Sequence, residues 1–449
     1  MSTLAFVLLF AAAPADTVYK CRDDQGVSVY SAQPCAEDPS KVHQVEIRTT
    51  HSIRPESSSL PSGDAGSGGV AIRAVGRGEV PPHLRCRGSS HLEARGVWSE
   101  AREAFEARRF DALENQLHAL GTQYSCTDRP LAVALNALRD GAPHLTPLFD
   151  AWVQARPVST HARVARGAHF VERAMSSRGG KLARDTSEQR FATMEMILAR
   201  AFNDFDAAIR LDPGNGLARG ERLFASRLSG SRGDLVKQYQ EGRGAVPASF
   251  AFYSGAAGAF EPRWGGEPED VMQVARDALQ HAHANPDLEL LPSAARCLIA
   301  NSAAYGSTPE SALEVVQKVF DAGGPVDWVC YAAKGTAYRN LRRHDDHVAA
   351  FHQLQQAGGG LGSTAVRAAD SLRMLGRYDE ALALLDEALR YRSGDVDALC
   401  TRADVLRAER RLEEGLRSVE AGLALDPQDA YCARVKIRLQ QLASQAAGS

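Results

Sequence analysis

The sequence predicts a mainly helical protein, built from helix pairs that stack on one another and preceded by a small disulfide-bonded β unit. Three observations predict this fold class. A 34-residue pattern runs three times without a gap from Trp328 to Asp429, apolar residues recur with a helical period from about Ser89 onward, and two short alternating segments stand near the N-terminus. The 449 residues exceed what one hydrophobic core usually holds, so at least two structural units are expected.

The first fifteen residues contain an apolar run that is too short to span a bilayer and that ends on Ala13-Pro14-Ala15. This pattern is typical of a secretory signal cut after Ala15, and it predicts a periplasmic or secreted protein. No Lys or Arg precedes Leu4, which leaves a misplaced start codon or an uncleaved N-terminus as alternatives. No later run of eighteen apolar residues occurs, so no membrane span is expected.

Residues 16–48 are predicted to form the β unit. The segments 17–21 and 27–31 alternate around a turn that ends in Gly26, and 42–47 is a candidate third strand. Cys21 and Cys35 flank this hairpin and are expected to pair, because so short a sheet buries little apolar surface. Tyr19-Lys20-Cys21, Asp24-Gln25-Gly26, Tyr30-Ser31 and Pro34-Cys35 resemble a small domain of unknown function found on exported bacterial proteins. Residues 49–85, rich in Ser, Gly and Pro, predict a flexible linker.

Residues 86–290 are predicted to form an irregular helical-repeat domain. Helical periodicity predicts helices over 98–120, 146–154, 160–176 and 187–211, and Pro268 opens another. Trp152, Arg178-Gly179 and Pro262-Arg263-Trp264-Gly265-Gly266 resemble a bacterial helical domain of unknown function.

Residues 291–449 contain the repeats. Trp328, Gly362 and Val396 open three windows in which packing positions fall into columns, and a helix pair of this length buries its apolar side only against a neighbouring pair. Gly376-Arg377-Tyr378-Asp379-Glu380-Ala381-Leu382 and Ala424-Leu425-Asp426-Pro427 resemble the tetratricopeptide repeat (TPR). The resemblance implies a right-handed superhelix that binds a partner along its concave surface. Residues 430–443 are expected to form a capping helix.

Eight cysteines, an even number, fit export to an oxidising compartment. Cys86 and Cys126 are candidates to bracket the first helical pair. Cys297 and Cys330, like Cys400 and Cys432, are about one repeat apart, which predicts two disulfides between the first helices of adjacent repeats. The alternative is that these helical cysteines are small core hydrophobes.

The charge balance and the motifs exclude several functions. Lys plus Arg is 52 against Asp plus Glu 55, so nucleic acid is not expected as a partner. Signatures of the common hydrolases, phosphate loops and Cys-x-x-Cys sites are absent, and no catalytic residue, cofactor or metal is predicted. Gly358 to Gly362 is interpreted as a helix stop rather than a dinucleotide site. His344 and His347, with His352 nearby, could offer metal ligands, but His344 lies at the turn between two helices and is interpreted as a solvated residue.

Three arginines stand out against this background. Arg339, Arg373 and Arg407 occupy the twelfth place of three successive repeats, which the TPR resemblance places on the concave groove. Such stacked guanidinium groups suit carboxylates or phosphates. Asp370 and Asp404, three residues before two of them, are the alternative partners within the same helices. The predicted partner-binding residues are Arg339, Arg373, Arg407, Asp370, Asp404 and Asn340.

The predicted function is a non-enzymatic scaffold of the bacterial cell envelope that holds a protein or peptide in the groove. Trp264 and Trp328 are candidate groove anchors, with a core position as the alternative. A second hypothesis is an enzyme that acts on cell-wall sugars or peptides, with a site near Arg263-Trp264 and with Glu261 and Glu267 as acid and base. A third is a structural subunit whose β unit contacts components of the envelope.

Overall fold

The computed structural model describes three short strands and most of the chain from residue 94 onward. The described ranges are 18–22, 28–31, 43–45, 94–179, 183–306, 308–359 and 362–447. The chain divides into two compact units, of which the first contains the strands and the second contains the α-helices. The expected signal (1–15) and linker (49–85) lie outside the described residues, and so do the side chains of Cys21, Cys35 and Cys86.

The strands β1 (Val18–Arg22), β2 (Ser28–Ser31) and β3 (His43–Val45) form an antiparallel sheet in the order β2-β1-β3. Lys20 at the centre of β1 is opposite Tyr30 on one side and His43 on the other. β3 lies within the expected segment 42–47, whose residues 42, 46 and 47 are outside the described residues.

The second unit is mainly helical, as the sequence predicts. Its α-helices are α1 (Ala94–Glu106), α2 (Phe110–Gln123), α3 (Arg129–Asn136), α4 (Thr146–Ala155), α5 (Thr160–Arg178), α6 (Glu188–Leu211), α7 (Gly216–Ser226), α8 (Arg232–Ala245), α9 (Phe250–Ala259), α10 (Pro268–Leu279), α11 (Leu291–Tyr305), α12 (Pro309–Asp321), α13 (Trp328–Asn340), α14 (His344–Gln356), α15 (Ser363–Met374), α16 (Tyr378–Tyr391), α17 (Val396–Ala408), α18 (Leu412–Leu425) and α19 (Ala430–Ala447). The segment 98–120 of helical periodicity is divided between α1 and α2. None of the helices in the described ranges combines the length and the apolar character needed to cross a bilayer.

The turn inside a helix pair has the same backbone conformation in several pairs. Arg342, Gly376 and Arg410 follow α13, α15 and α17 at the same place of the 34-residue pattern, and all three have a positive φ, at 57°, 75° and 64°. Arg108 adopts this conformation after α1, with φ 55°. A left-handed residue reverses the chain sharply after a helix, so the second helix folds back on the first.

Successive first helices of the pairs, which carry odd numbers, pack on one another in most of the unit. Two disulfides join them: Cys297 of α11 is bonded to Cys330 of α13, and Cys400 of α17 is bonded to Cys432 of α19. Cys126 is also disulfide-bonded. Apolar side chains fill the space between the layers, from Trp152 and Phe149 in the early pairs to Leu385 and Leu439 in the last ones.

The last pairs also contact the first ones. In the turn before α17, Ser393 Oγ lies 3.3 Å from His144 Nε2, and a Cβ on Gly394 would overlap the Cβ of Ala142. Arg190 of α6 forms an ion pair with Asp426, in the turn after α18, at 3.6 Å. The helical unit therefore closes on itself: the turns before α17 and after α18 contact the loop between α3 and α4 and helix α6.

Candidate binding surface on the first helices

The three predicted arginines lie at equivalent positions near the ends of α13, α15 and α17. Their side chains are 37%, 20% and 23% exposed in the order Arg339, Arg373, Arg407. Two carboxylates stand between them, so that the five residues form a continuous row in the order Arg339, Asp370, Arg373, Asp404, Arg407. We call this set the Arg–Asp row.

Each carboxylate of the Arg–Asp row serves two repeats. Asp370 accepts a hydrogen bond from Arg373 on its own helix at 2.8 Å and lies 3.9 Å from Arg339 of the preceding repeat. Asp404 accepts a hydrogen bond from Arg407 at 2.7 Å and lies 3.4 Å from Arg373. Burial lowers the pKa of the Arg373 guanidinium, but the bond to Asp370 and the two acidic charges outweigh this and raise it.

The structure shows the pairing with Asp370 and Asp404 that was the alternative interpretation of these arginines. The helical spacing pairs each acid with the arginine three residues later, and the repeat stacks the same acid on the arginine of the previous pair. Asn340 also connects two repeats, because its side-chain amide donates a hydrogen bond to the carbonyl oxygen of Ala304 in the preceding repeat. The main contacts of these residues are thus with neighbouring repeats. Arg339 is the most exposed of the three guanidinium groups.

A second set of arginines was not found from the sequence. In this set guanidinium groups and aromatic rings alternate across five pairs of helices. We call it the arginine–aromatic stack, and its members in spatial order are Arg139, Phe224, Arg227, Trp264, Arg263, Tyr305 and Arg367.

The distances from guanidinium carbon to ring centroid are short along the whole stack. Arg227 lies 3.4 Å from Phe224 and 4.6 Å from Trp264, while Arg139 lies 5.5 Å from the same Phe224 ring. At the other end Arg263 and Arg367 lie 5.1 Å and 5.2 Å from the ring of Tyr305. Each contact of this kind contributes about 0.5–2 kcal/mol, depending on how far the pair is removed from water.

A tight turn sets Arg263 and Trp264 in the middle of the stack. Pro262 begins a short 3-10 helix after α9, and Gly265 ends it with φ 90°. Gly266 then lies so close to Phe260 that a Cβ would overlap its carbonyl oxygen. Only glycine fits this approach, so the sequence Pro-Arg-Trp-Gly-Gly fixes where the two side chains emerge.

The four arginines of the stack differ in their acidic partners. Arg139 forms ion pairs with Glu172 and Glu221, and Arg263 pairs at 3.1 Å with Glu261. Within the described residues, Arg227 and Arg367 form no ion pair.

These two arginines use neutral acceptors instead. Arg227 donates a hydrogen bond to the carbonyl oxygen of Gly258 at 3.3 Å, and Arg367 donates to the hydroxyl of Tyr305. Burial and the charge of Arg263 lower the pKa of Arg227 to about 9. Two buried donors, Arg227 Nε and Trp264 Nε1, have no acceptor among the described protein atoms.

The tryptophan and glutamate candidates have defined positions. Trp328 is 41% exposed, which corrects its interpretation as a core residue, whereas Trp264 is half-buried in the arginine–aromatic stack. Glu261 is 2% exposed and also accepts a hydrogen bond from Ser302 at 3.1 Å. Glu267 caps α10 in a reciprocal capping box with Asp270. Both acids of the enzyme hypothesis are thus engaged in structural contacts.

The histidines near α14 are bonded to the next repeat. The Nδ1 atoms of His344 and His347 lie 3.0 Å and 2.8 Å from the hydroxyl of Ser371. His344 is partly exposed at the start of α14, whereas His347 is buried, which lowers its pKa to about 4. No cluster of three or more His, Cys, Asp or Glu side chains in the described part of the chain is arranged to hold a metal ion.

The sequence missed the arginine–aromatic stack because its members do not follow the 34-residue period. They come from α7, α11 and α15, from the loop after α3 and from the turn after α9. A local signal was present in Phe224 and Arg227, three residues apart on one helix face, and in the adjacent pair Arg263-Trp264.

Three family models match the chain, each over a part of it. Residues 5–59 match the Domain of unknown function (DUF4124), residues 98–231 match the Domain of unknown function (DUF4034), and residues 372–439 match the Tetratricopeptide repeat. The resemblance of the C-terminal region to the TPR family is confirmed over 372–439. A comparison with curated proteins gives no match.

Several solved structures align with the chain at low identity. A tetratricopeptide repeat protein from Parabacteroides merdae is 11% identical, with a TM-score of 0.32, and the alignment covers 60% of this chain and 99% of that one. The APC/C hetero-tetramer Cut9-Hcn1 is 13% identical, with coverage of 79% and 65% and a TM-score of 0.38. The P58(IPK) TPR domain is 14% identical, with coverage of 79% and 99% and a TM-score of 0.23. With TM-scores this low, none of the three informs the site.

Proposed function

We propose that this protein is a non-enzymatic scaffold of the bacterial cell envelope that holds a polypeptide partner against the arginine–aromatic stack. The observation that carries the proposal is the stack itself, seven residues long and half-exposed over most of its length. Arginine, tryptophan and tyrosine are the residue types that dominate the energetics of protein interfaces.

The stack is suited to binding because its side chains are already ordered. A long arginine side chain normally loses rotamer freedom when a partner immobilises it, and this loss weakens binding. Here Arg227 is held between Phe224 and Trp264, and Arg263 between Trp264 and Tyr305. The two guanidinium groups are therefore held in place by the rings before a partner binds.

The Arg–Asp row has the supporting role in this proposal. Its two carboxylates are occupied by arginines of the same row, which keeps α13, α15 and α17 in register. Arg339, at the end of the row and 37% exposed, adds one donor for the partner.

The proposed location is the periplasm. It is supported by the apolar first fifteen residues and by the disulfides Cys297–Cys330 and Cys400–Cys432, which persist in oxidising compartments.

Affinity capture after crosslinking in the periplasm tests the function, with mass spectrometry of what is held. The variants are Trp264→Ala with Tyr305→Ala in the stack, and Arg339→Ala with Arg373→Ala and Arg407→Ala in the row. Arg417→Ala on α18, an exposed arginine of a second helix, is the matched control. We expect the stack variant to lose a partner that wild type and control retain, and the row variant to weaken capture less.

Equal capture by the stack variant and the wild type would remove the stack from the binding surface. Circular dichroism of each variant separates a lost contact from a lost fold.

A further inference from the structure

We propose that the partner segment is acidic and that its carboxylates pair with Arg227 and Arg367, the two arginines of the stack that form no ion pair among the described residues. This inference rests on the proposed function and names the chemistry that the same surface selects.

The charges along the stack are arranged unevenly. Arg139 is engaged by two glutamates and Arg263 by one, so these positions already have their counter-charges. Arg227 has no acid within ion-pair distance among the described residues: Arg263 and Arg139 repel its charge, and the acids that attract it from further away, Glu261 and Glu172, are each paired with another arginine. A buried cation without a counter-ion is costly, and an incoming carboxylate offsets that cost.

Donors without acceptors lie at the same place. Arg227 Nε and Trp264 Nε1 are buried and unpaired, and the guanidinium of Arg227 lies 4.6 Å from the Trp264 ring. A polar group that is buried without a partner costs about 1–3 kcal/mol, so an acceptor that reaches either donor is favoured.

The second arginine lies where the stack meets solvent. Arg367 donates to the Tyr305 hydroxyl and stacks on that ring, whose residue is 38% exposed. Since a hydroxyl engages one of five guanidinium N–H groups, the remaining donors are available to a carboxylate. Between the two arginines lie Trp264, Arg263 and Tyr305, so the two carboxylates belong to one segment laid across the rings.

A carboxylate fits this surface better than a phosphate group. Glu172, Glu221 and Glu261 already lie among the four arginines. A phosphate that carries nearly two negative charges is repelled by these acids more strongly than a carboxylate that carries one. The aromatic rings cover the faces of the guanidinium groups and leave their edges, where the N–H donors lie, uncovered. Two N–H groups on one edge match the two oxygens of a planar carboxylate in a bidentate pair.

The experiment measures binding of the full chain to an array of immobilised peptides of random sequence, beside a matched array in which Gln and Asn replace Glu and Asp. The proteins are wild type, Arg227→Gln, Arg367→Gln and, as control, Arg417→Gln. Arg227→Lys keeps the charge and loses the planar fork, which guards against a variant that fails to fold. Inorganic phosphate is added as a competitor in a separate arm.

We expect wild type and Arg417→Gln to prefer the acidic array by about tenfold, and each stack variant to lose most of that preference. The proposal is overturned if wild type binds both arrays alike, if Arg227→Gln and Arg367→Gln retain the preference, or if phosphate displaces the peptides as effectively as free acidic peptide does. A partner that is captured through Trp264 and Tyr305 without any acidic preference would leave the scaffold function in place and remove this inference alone.

Discussion

Asp404 of α17 lies 3.4 Å from Arg373 of α15, one repeat before it, and 2.7 Å from Arg407 on its own helix. Its side chain is 5% exposed, so a single buried carboxylate neutralises two guanidinium groups from different repeats.

Replacing Asp404 by Asn should therefore destabilise the protein. The change leaves two partly buried guanidinium groups without their shared charge, and we expect a loss of about 2–3 kcal/mol in the free energy of unfolding. Urea denaturation measures it. Asp386→Asn is the control, because that carboxylate is 55% exposed and pairs only at the surface with Arg402, so less than about 1 kcal/mol is expected. Equal effects of the two changes would contradict the structural role of the row.

The disulfide between Cys400 and Cys432 should stabilise the last two first helices. It closes a loop of 32 residues, and removal by Cys400→Ala with Cys432→Ala is expected to lower the free energy of unfolding by about 2–4 kcal/mol. Denaturation without reductant is the measurement. With reductant present the wild type loses its advantage and the two curves approach each other; a difference that persists would assign the loss to packing around the cysteines.

Two buried histidines predict how stability depends on pH. His169 bonds Thr146 Oγ1 at 2.8 Å and the carbonyl oxygen of Asp140, and burial lowers its pKa to about 4, as it does for His347. In the unfolded chain both bind a proton below about 6.5. The stabilisation is therefore complete above pH 6.5 and is lost as the pH falls towards 4, by up to about 3 kcal/mol for each histidine.

Thermal unfolding as a function of pH checks this. His169→Gln and His347→Gln should each flatten the decline between pH 6.5 and 4, while His283→Gln, at an exposed position, should leave it unchanged. A slope that survives in both buried variants would assign the acid sensitivity to other groups.

The turns inside the pairs offer a test of backbone strain. Arg410 has φ 64° at the place where the preceding repeat has Gly376, with φ 75° and open space around it. Since side chains other than glycine are disfavoured at positive φ, Arg410→Gly should stabilise the protein by up to about 1 kcal/mol, and Gly376→Arg should destabilise it by about 1 kcal/mol. Chemical denaturation of both gives the result, and two changes of the same sign would refute the shared conformation.

Closure of the helical unit depends on Gly394. Any side chain at this position overlaps the Cβ of Ala142. Gly394→Val should therefore lower the free energy of unfolding by about 1–3 kcal/mol. It should also increase the radius of gyration measured by small-angle X-ray scattering. Gly324→Val, in a loop where a Cβ meets nothing within 4 Å, is the control. An unchanged radius would show that the first and last pairs stay together by other contacts.

A fixed period made the C-terminal repeats predictable from the sequence, whereas features that depend on the curvature of the helix stack were missed. The 34-residue pattern placed α13, α15 and α17 and the arginines near their ends, and its spacing paired Asp370 and Asp404 with the arginine three residues later. The inter-repeat contacts of those acids need the stacking of helices, which the pattern implies but does not measure.

The arginine–aromatic stack lay beyond prediction for a physical reason. Arg227 and Arg367 are 140 positions apart along the chain, and the rings between them come from elements whose spacing is irregular. The distance between these side chains depends on the rotation of each helix pair relative to the preceding pair. That rotation accumulates from many small helix-packing angles, which no local sequence pattern encodes. The closing contact of Gly394 with Ala142 depends on the same angles.

The two disulfides divide the C-terminal repeats into segments of different elasticity. Covalent bonds tie α11 to α13 and α17 to α19, whereas no cysteine occurs between Cys330 and Cys400, so the junctions of α15 with its neighbours rely on apolar packing and on the ion pairs of Asp370 and Asp404. Ion pairs are screened by salt and covalent bonds are not. Under tension the junctions of α15 should therefore separate before the disulfide-bonded pairs α11–α13 and α17–α19. The stiffness of those junctions should fall as ionic strength rises, whereas that of the disulfide-bonded pairs should not change.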